Sequence, residues 1–355
     1  MLELPIIEVA GSPEQMGRRY GEAVKPLVQA FVHQRVRAAR AYLRERGFRD
    51  VDALRDLGRQ CLDLLKSWDH EAWIEHHATA AGAGVDPVDL YTTGNMTDIR
   101  DILILGRMSA EAEGCTTAHV GPEASADGLV LASQTWDLNP TDIDYVVGVL
   151  RRPTVGVATF SVTCAGCPSL MAMNQHGLTV GTTNVKVKGS RIGIPYLSLL
   201  HRAVRSANRA QAERRILRAP RAAAHTYWIA DAAGVTDLET SAGHHLRRTT
   251  DTGPLTRTNH CLDAQHQAQE GEPATVSSQK RLSRARAVLG AGAVTTESLK
   301  ALFTDRTDGV DSINRYPEDD QGTTTNACWI AQPARRTVSA CRGPADRGRW
   351  ITISF

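Results

Sequence analysis

The chain has 355 residues, enough for one large core or two ordinary ones, and its 41 Lys and Arg offset 39 Asp and Glu to a net charge of +2. That balance predicts no nucleic acid and no anionic membrane as partner, and no apolar run approaches the roughly 20 residues that span a bilayer. The start, MLELPIIEVAGSPEQ, lacks the basic-then-apolar order of a signal peptide, and an odd set of seven scattered cysteines predicts reduced thiols in a cytoplasmic protein.

A short strand is predicted over 4–9. Ser12-Pro13-Glu14-Gln15 follows as a capping box with proline at the first helical position, and one helix is predicted from there to about residue 46. A second helix starts near Asp50 and carries Leu54, Leu57, Cys61, Leu64, Leu65 and Trp68 at helical spacing. Asp86-Pro87 opens a third, running towards Leu105. Beyond Gly114 the texture changes. Alternating, β-branched segments predict strands over 129–135, 155–163, 170–173, 179–183 and 226–230, set off by turns such as Asp127-Gly128, His176-Gly177 and Ala233-Gly234. Helices are predicted over 196–205, 210–217, 278–289 and 296–303, and strands return at 327–331, 337–341 and 350–355. The stretch 265–273 reads as a polar, exposed loop. The grouping of elements predicts an α+β fold and not a doubly wound parallel sheet.

The segment Glu113-Gly114-Cys115-Thr116-Thr117-Ala118 carries the chemistry. A mid-chain cysteine is ordinarily a small buried hydrophobe. Here Gly114 leaves the acyl side open, so that a nucleophile at Cys115 can reach the preceding carbonyl. Attack would give a thioester, and its hydrolysis would leave Cys115 as a new N-terminus. Such a residue carries a thiol and an α-amine of reference pKa about 7.7–8.0, which is a nucleophile and its general base together. Donors for a tetrahedral oxyanion and groups that orient the amine are still required.

Gly114-Cys115-Thr116-Thr117-Ala118-His119 resembles the cleavage site of the isopenicillin N acyltransferase family of self-processing N-terminal-nucleophile enzymes. Further segments are similar to the family's in its order. They are Ser133-Gln134-Thr135-Trp136-Asp137, the hairpin from Met173 to Gly181, Thr258-Asn259-His260 and Ser312-Ile313-Asn314-Arg315, preceded by Glu8 to Pro13 and Gly17 to Gly21. The resemblance implies a four-layer αββα sandwich with a helical N-terminal segment. Residues 1–114 would become a small subunit and 115–355 the catalytic part, staying paired as one unit. It implies Cys115 as the cleavage and catalytic nucleophile after Gly114, Asp137 as partner of the new α-amine, and Asn259 as oxyanion donor. Thr116 and Arg315 would be supporting or substrate-binding residues. The implied activity is that of an amidohydrolase or acyltransferase acting on a small acyl amide or amine. No cofactor is expected, with an acyl-CoA co-substrate left open. The spacing from Cys115 to Asp137 is slightly long for the family, and 123–127 is the expected surface insertion.

Plainer readings stand beside these. Asp137 can be a turn or cap residue, Asn259 an Asx turn, and His260 a core histidine. Cys164-x-x-Cys167 has no partner pair at zinc spacing, and His70, His76, His77, His244 and His245 are suggestive by number alone, so no metal is expected. The basic helical stretch 35–49 reads as a solvated face or one paired with acidic residues of the other subunit. Two other functions remain open. One is an uncleaved, non-enzymatic binding or scaffold paralogue. The other is a thiol hydrolase that never cuts itself and takes His119 as its base.

Overall fold

The structure is a computed structural model and describes residues 1–105 and 114–355. Its N-terminal part comprises strand β1 (Ile6–Gly11) and helices α1 (Pro13–Ala23), α2 (Lys25–Glu45), α3 (Ala53–Trp68), α4 (His70–Ala83), α5 (Pro87–Gly94) and α6 (Met96–Ile104). Next come β2 (Gly114–Val120), β3 (Leu131–Leu138), β4 (Val146–Pro153), β5 (Thr159–Cys164), β6 (Met171–Asn174) and β7 (Thr179–Asn184). Helices α7 (Tyr196–Val204) and α8 (Arg209–Leu217) lead to β8 (His225–Asp231), β9 (Gly234–Thr240), β10 (His245–Thr249) and β11 (Leu255–Arg257). The chain ends with α9 (Ala264–Gln267), α10 (Val276–Gly290), α11 (Thr296–Phe303), β12 (Thr324–Gln332), β13 (Thr337–Arg342) and β14 (Ile351–Ser354).

The strands form two sheets, in the orders β1-β4-β5-β6-β7-β8-β9-β10 and β11-β2-β3-β12-β13-β14. All neighbours are antiparallel except β1 and β4. The sheets stack face to face: Gln134 on β3 donates to the Thr182 carbonyl on β7 at 2.7 Å and accepts from the Trp228 indole on β8 at 2.6 Å. Trp136, Phe160, Trp228 and Trp329 fill the layer between them. Helices α10 and α11 cover the outer face of the smaller sheet, and α7 and α8 that of the larger. The result is the αββα sandwich, of class α+β.

Several predicted boundaries move for identifiable reasons. The first long helix breaks at Val24, because Pro26 has no N–H to give to the preceding turn and its ring crowds the carbonyl four residues back. The third breaks at Asn95, after Gly94. Helix α4, β4 and β9 were not anticipated. Helix α4 is rich in Ala and Gly and buried on several sides, so it shows no amphipathic stripe. Strand β9 hides its pattern behind Asp237 and Glu239, both buried against Arg257. Within 265–273, the short α9 buries His266.

Residues 1–105 are fastened to the rest by the sheet and by buried charge. Strand β1 lies beside β4, with Ile6 level with Gly148. Glu75 bonds Arg151 at 2.7 Å, Asp98 bonds His225 at 2.5 Å, Asp101 bonds Lys186 at 3.0 Å, and Arg35 pairs with Asp142. The basic stretch of α2 thus reaches an acid beyond Gly114, as one of its two readings expects. Among the described residues no helix is long and apolar enough to cross a membrane.

Helices α1 and α4 meet backbone to backbone. A Cβ added at Gly21 would lie 2.1 Å from the Thr79 carbonyl oxygen. Gly21→Ala is predicted to destabilise by about 1–3 kcal/mol through overpacking, although alanine in a free helix would gain about 1 kcal/mol. Urea unfolding checks this, and an unchanged or higher midpoint would remove the close α1–α4 contact.

Candidate active site

Strand β2 opens the site, and its pairing with β3 sorts the side chains. Cys115 stands opposite Trp136 and Gly114 opposite Asp137. Residues directly opposite share a face. Cys115 and Trp136 therefore look into the layer between the sheets, with Gln134. Thr116, Thr135 and Asp137 look towards α10. The thiol and the acid sit at the same end of the ladder on opposite faces.

Asp137 is 1% exposed. Burial raises its pKa, while the Arg315 and Arg281 cations and the hydroxyls of Thr325 and Thr135 pull the other way. Arg315 is 3.9 Å away, and neither Asp137 oxygen has a hydrogen bond of full geometry among the described residues. A Cβ on Gly114 would lie 2.8 Å from Asp137 Oδ2 and 3.1 Å from Arg315 Nη1. Glycine is required at 114 because the carboxylate and the guanidinium already occupy that space.

Asn259 reaches the other side of the Gly114–Cys115 peptide. Its Oδ1 accepts the Cys115 N–H at 2.8 Å and an Arg281 N–H at 3.0 Å, and its Nδ2 donates to the Asn184 carbonyl at 3.1 Å. Two donors on one atom fix which end of the amide is oxygen. Ser278 accepts the Asn259 N–H at 2.9 Å and bonds His260 Nδ1 at 2.8 Å and the Thr258 hydroxyl at 3.0 Å. The Thr-Asn-His segment is thus a turn latched onto the first turn of α10. His260 belongs to the latch, and burial beside Arg281 lowers its pKa.

All six expected residues, Gly114, Cys115, Thr116, Asp137, Asn259 and Arg315, converge here. Arg281, which the motifs do not indicate, is at the centre. It donates to the Cys115 carbonyl, to the Thr116 hydroxyl at 3.0 Å and to Asn259 Oδ1. Burial, then the neighbouring Arg315, pull its pKa to about 9, while Asp137 and Cys115 push it up, so it stays charged at neutral pH. The available signal was Ser278-x-x-Arg281, two polar residues on one buried helix face. Arg315 is held by the Thr323 and Ser277 hydroxyls. Two guanidiniums against one carboxylate leave a positive excess, which favours a thiolate and an oxyanion.

His119 does not suit the role of base. Its Nδ1 accepts the Ser133 N–H at 3.2 Å, and burial lowers its pKa to about 3. Cys164 and Cys167 close a turn and line a narrow cleft. Trp136, Leu138, Phe31, Tyr196 and Leu197 make most of its wall, with Arg35 at one side. Through Trp136 this cleft adjoins the face that bears the Cys115 thiol.

A layered αββα sandwich with a cysteine at the head of a central strand defines the N-terminal-nucleophile class. The chain belongs to the acyl-coenzyme A:6-aminopenicillanic acid acyl-transferase family, whose model matches residues 125–346, more than half of the chain. The matched stretch includes Asp137, Asn259, Arg281 and Arg315 and begins after Cys115. No curated protein sequence matches. Among solved structures, penicillin V acylase from Agrobacterium tumefaciens aligns with a TM-score of 0.44 at 12% identity, over 68% of this chain and 86% of its own. A mutant conjugated bile acid hydrolase from Clostridium perfringens gives 0.42 at 11%, over 68% and 92%. The Caenorhabditis elegans ortholog of N-acylethanolamine-hydrolyzing acid amidase gives 0.44 at 13%, over 68% and 100%. A shared substrate does not follow from such likenesses.

Arg281→Met is predicted to destabilise the fold by about 2–5 kcal/mol, because it strips a donor from three buried acceptors and a cation from Asp137. Arg281→Lys should recover part of the loss. Chemical unfolding measures both, and a Met variant as stable as the parent would show that Arg281 does not hold the site together.

Proposed function

We propose that the chain cuts itself between Gly114 and Cys115, and that the freed Cys115 then passes the acyl group of an N-acyl amine through a thioester to water or to an amine. The observation that carries this reading is Asp137, a buried acid without a full hydrogen bond among the described residues, pressed against the residue that would leave. As Cys115 Sγ bonds to the Gly114 carbonyl carbon, the thiol proton passes to Cys115 N and the C–N bond breaks, leaving a thioester and a free α-amine. Water then releases the Gly114 carboxylate and regenerates the thiol. The α-amine so formed lies beside the Asp137 carboxylate, which orients it.

Asn259 acts at both stages. Its Oδ1 fixes the nitrogen of the scissile peptide and later the α-amine. Its amide carries two N–H groups; one is engaged by Asn184, and the other is the oxyanion donor. Arg281 and Arg315 keep the site electropositive, and Thr116 anchors Arg281 beneath the strand. The apolar cleft beside Trp136 receives the acyl part of the substrate. Buried pairs such as Glu75–Arg151 and Asp101–Lys186 cross the cut, so the two pieces remain a heterodimer.

Intact mass and N-terminal sequencing of purified protein test the cut. Two co-purifying chains, 1–114 and 115–355, are expected, and Cys115→Ala should leave one. A single full-length chain that turns over substrate would end the self-processing reading.

Asn259→Ala is expected to lower kcat by about 10²–10³, with KM little changed, since the donor matters most once the oxyanion has formed. Asp137→Asn should lower kcat by about 10² through loss of the orienting charge on the amine. The assay uses cleaved protein with penicillin V, a conjugated bile acid, an N-acylethanolamine, or 6-aminopenicillanic acid with an acyl-CoA. A large rise in KM at unchanged kcat would place Asn259 in substrate binding. Wild-type kcat in cleaved Asp137→Asn would remove Asp137 from the reaction.

A further inference from the structure

Behind the Asn259 turn lies a second group of polar side chains that the acyl chemistry does not use. His244, in the turn between β9 and β10, points Nε2 at Asp263 Oδ2, 3.2 Å away. His266 on α9 has its Nδ1 3.6 Å from the same oxygen and 3.1 Å from Glu239 Oε1. One ligand-type atom from each of His244, Asp263 and His266 lies within 4.8 Å of the others. A tetrahedral ion with ligands at about 2.0–2.1 Å holds them about 3.3 Å apart. Two of the three edges are already near that value, and half-exposed His244 is free to close the third.

Glu239, which is paired with Arg257, is buried beside the cluster and bonds the same ring of His266. The other nitrogen of His266, Nε2, bonds the Ser241 hydroxyl at 3.2 Å. That is the outer bond by which a metal-bound imidazole is oriented.

We propose that His244 Nε2, Asp263 Oδ2 and His266 Nδ1 bind a divalent transition-metal ion of the Zn²⁺ type, with the fourth position open on the exposed side of His244. The ion clamps the β9–β10 turn to α9. Glu239 accepts the backbone N–H groups of Leu262 and Asp263 at 2.9 and 3.1 Å, so the clamp also steadies the segment that carries Asn259. This reverses the expectation of no metal. His244 finds its partners through the fold and not through its sequence neighbour His245.

The test uses untagged full-length protein, stripped with chelator and titrated with Co²⁺ and then Zn²⁺. One equivalent of Co²⁺ should bind, give the visible absorption of a four-coordinate site, raise the melting temperature, and be displaced by Zn²⁺. His244→Ala should weaken binding by at least about 10-fold, while His245→Ala leaves it unchanged. Absence of stoichiometric binding in a folded parent would overturn the site. So would equal binding by His244→Ala, or a thiolate charge-transfer band that puts the ion on cysteine. The readout is binding and stability, so it stands whether or not the protein cleaves itself.

Discussion

The site depends on one constraint, a buried carboxylate packed against a residue with no side chain. Asp137 lies level with Gly114 in the β2–β3 ladder, and any Cβ at 114 would run into it and into Arg315. Burying an anion this way is costly unless opposite charge stands near. Arg315 and Arg281 supply it without hydrogen-bonding the carboxylate directly. The acid is left with capacity to spare at the peptide where a new amine would arise. The latch of Ser278 on the Asn259 turn and the hydroxyls around Arg315 follow from the need to hold these cations still.

Strand alternation divides the labour. The thiol faces the space between the sheets, where Trp136 leads to the apolar cleft. The charges face α10, where side chains from a helix can reach them. A substrate entering along the inner face would meet the sulfur without displacing the ion cluster. The backbone of one strand separates an apolar surface from an electrostatic one, and Asn259, coming from the strand's edge, touches the peptide between them.

Much of this site was legible in short motifs because its parts sit in tight local structure. Gly114-Cys115, Trp136-Asp137 and Thr258-Asn259-His260 each place a chemical group at a strand end, where sequence neighbours are also spatial neighbours. Arg281 was not legible, since an arginine in a helix ordinarily reads as solvated surface. Only the tertiary contact with β2 shows it to be interior. The same holds for His244, Asp263 and His266, which three different local segments bring together. Helix α4 was hidden by its lack of an apolar stripe, and the first long helix was overextended because the hydrophobic pattern continues through Pro26 while the backbone hydrogen bonds do not.

The link between residues 1–105 and the remainder bears on what a cut at Gly114 can do. Glu75 and Asp101 each meet a cation from the other side of that peptide, and Asp98 bonds His225 there, all with little access to water. Separating such pairs would leave unpaired charges in the interior, at a cost of about 3–5 kcal/mol for each broken pair. Strand β1 adds backbone hydrogen bonds to β4 in the larger sheet. Cleavage would remove a covalent connection but none of these contacts. It would therefore change the local chemistry at Cys115, where an amide would become an amine, while leaving the sandwich that positions Asp137 and Asn259 held by forces independent of the bond that is lost.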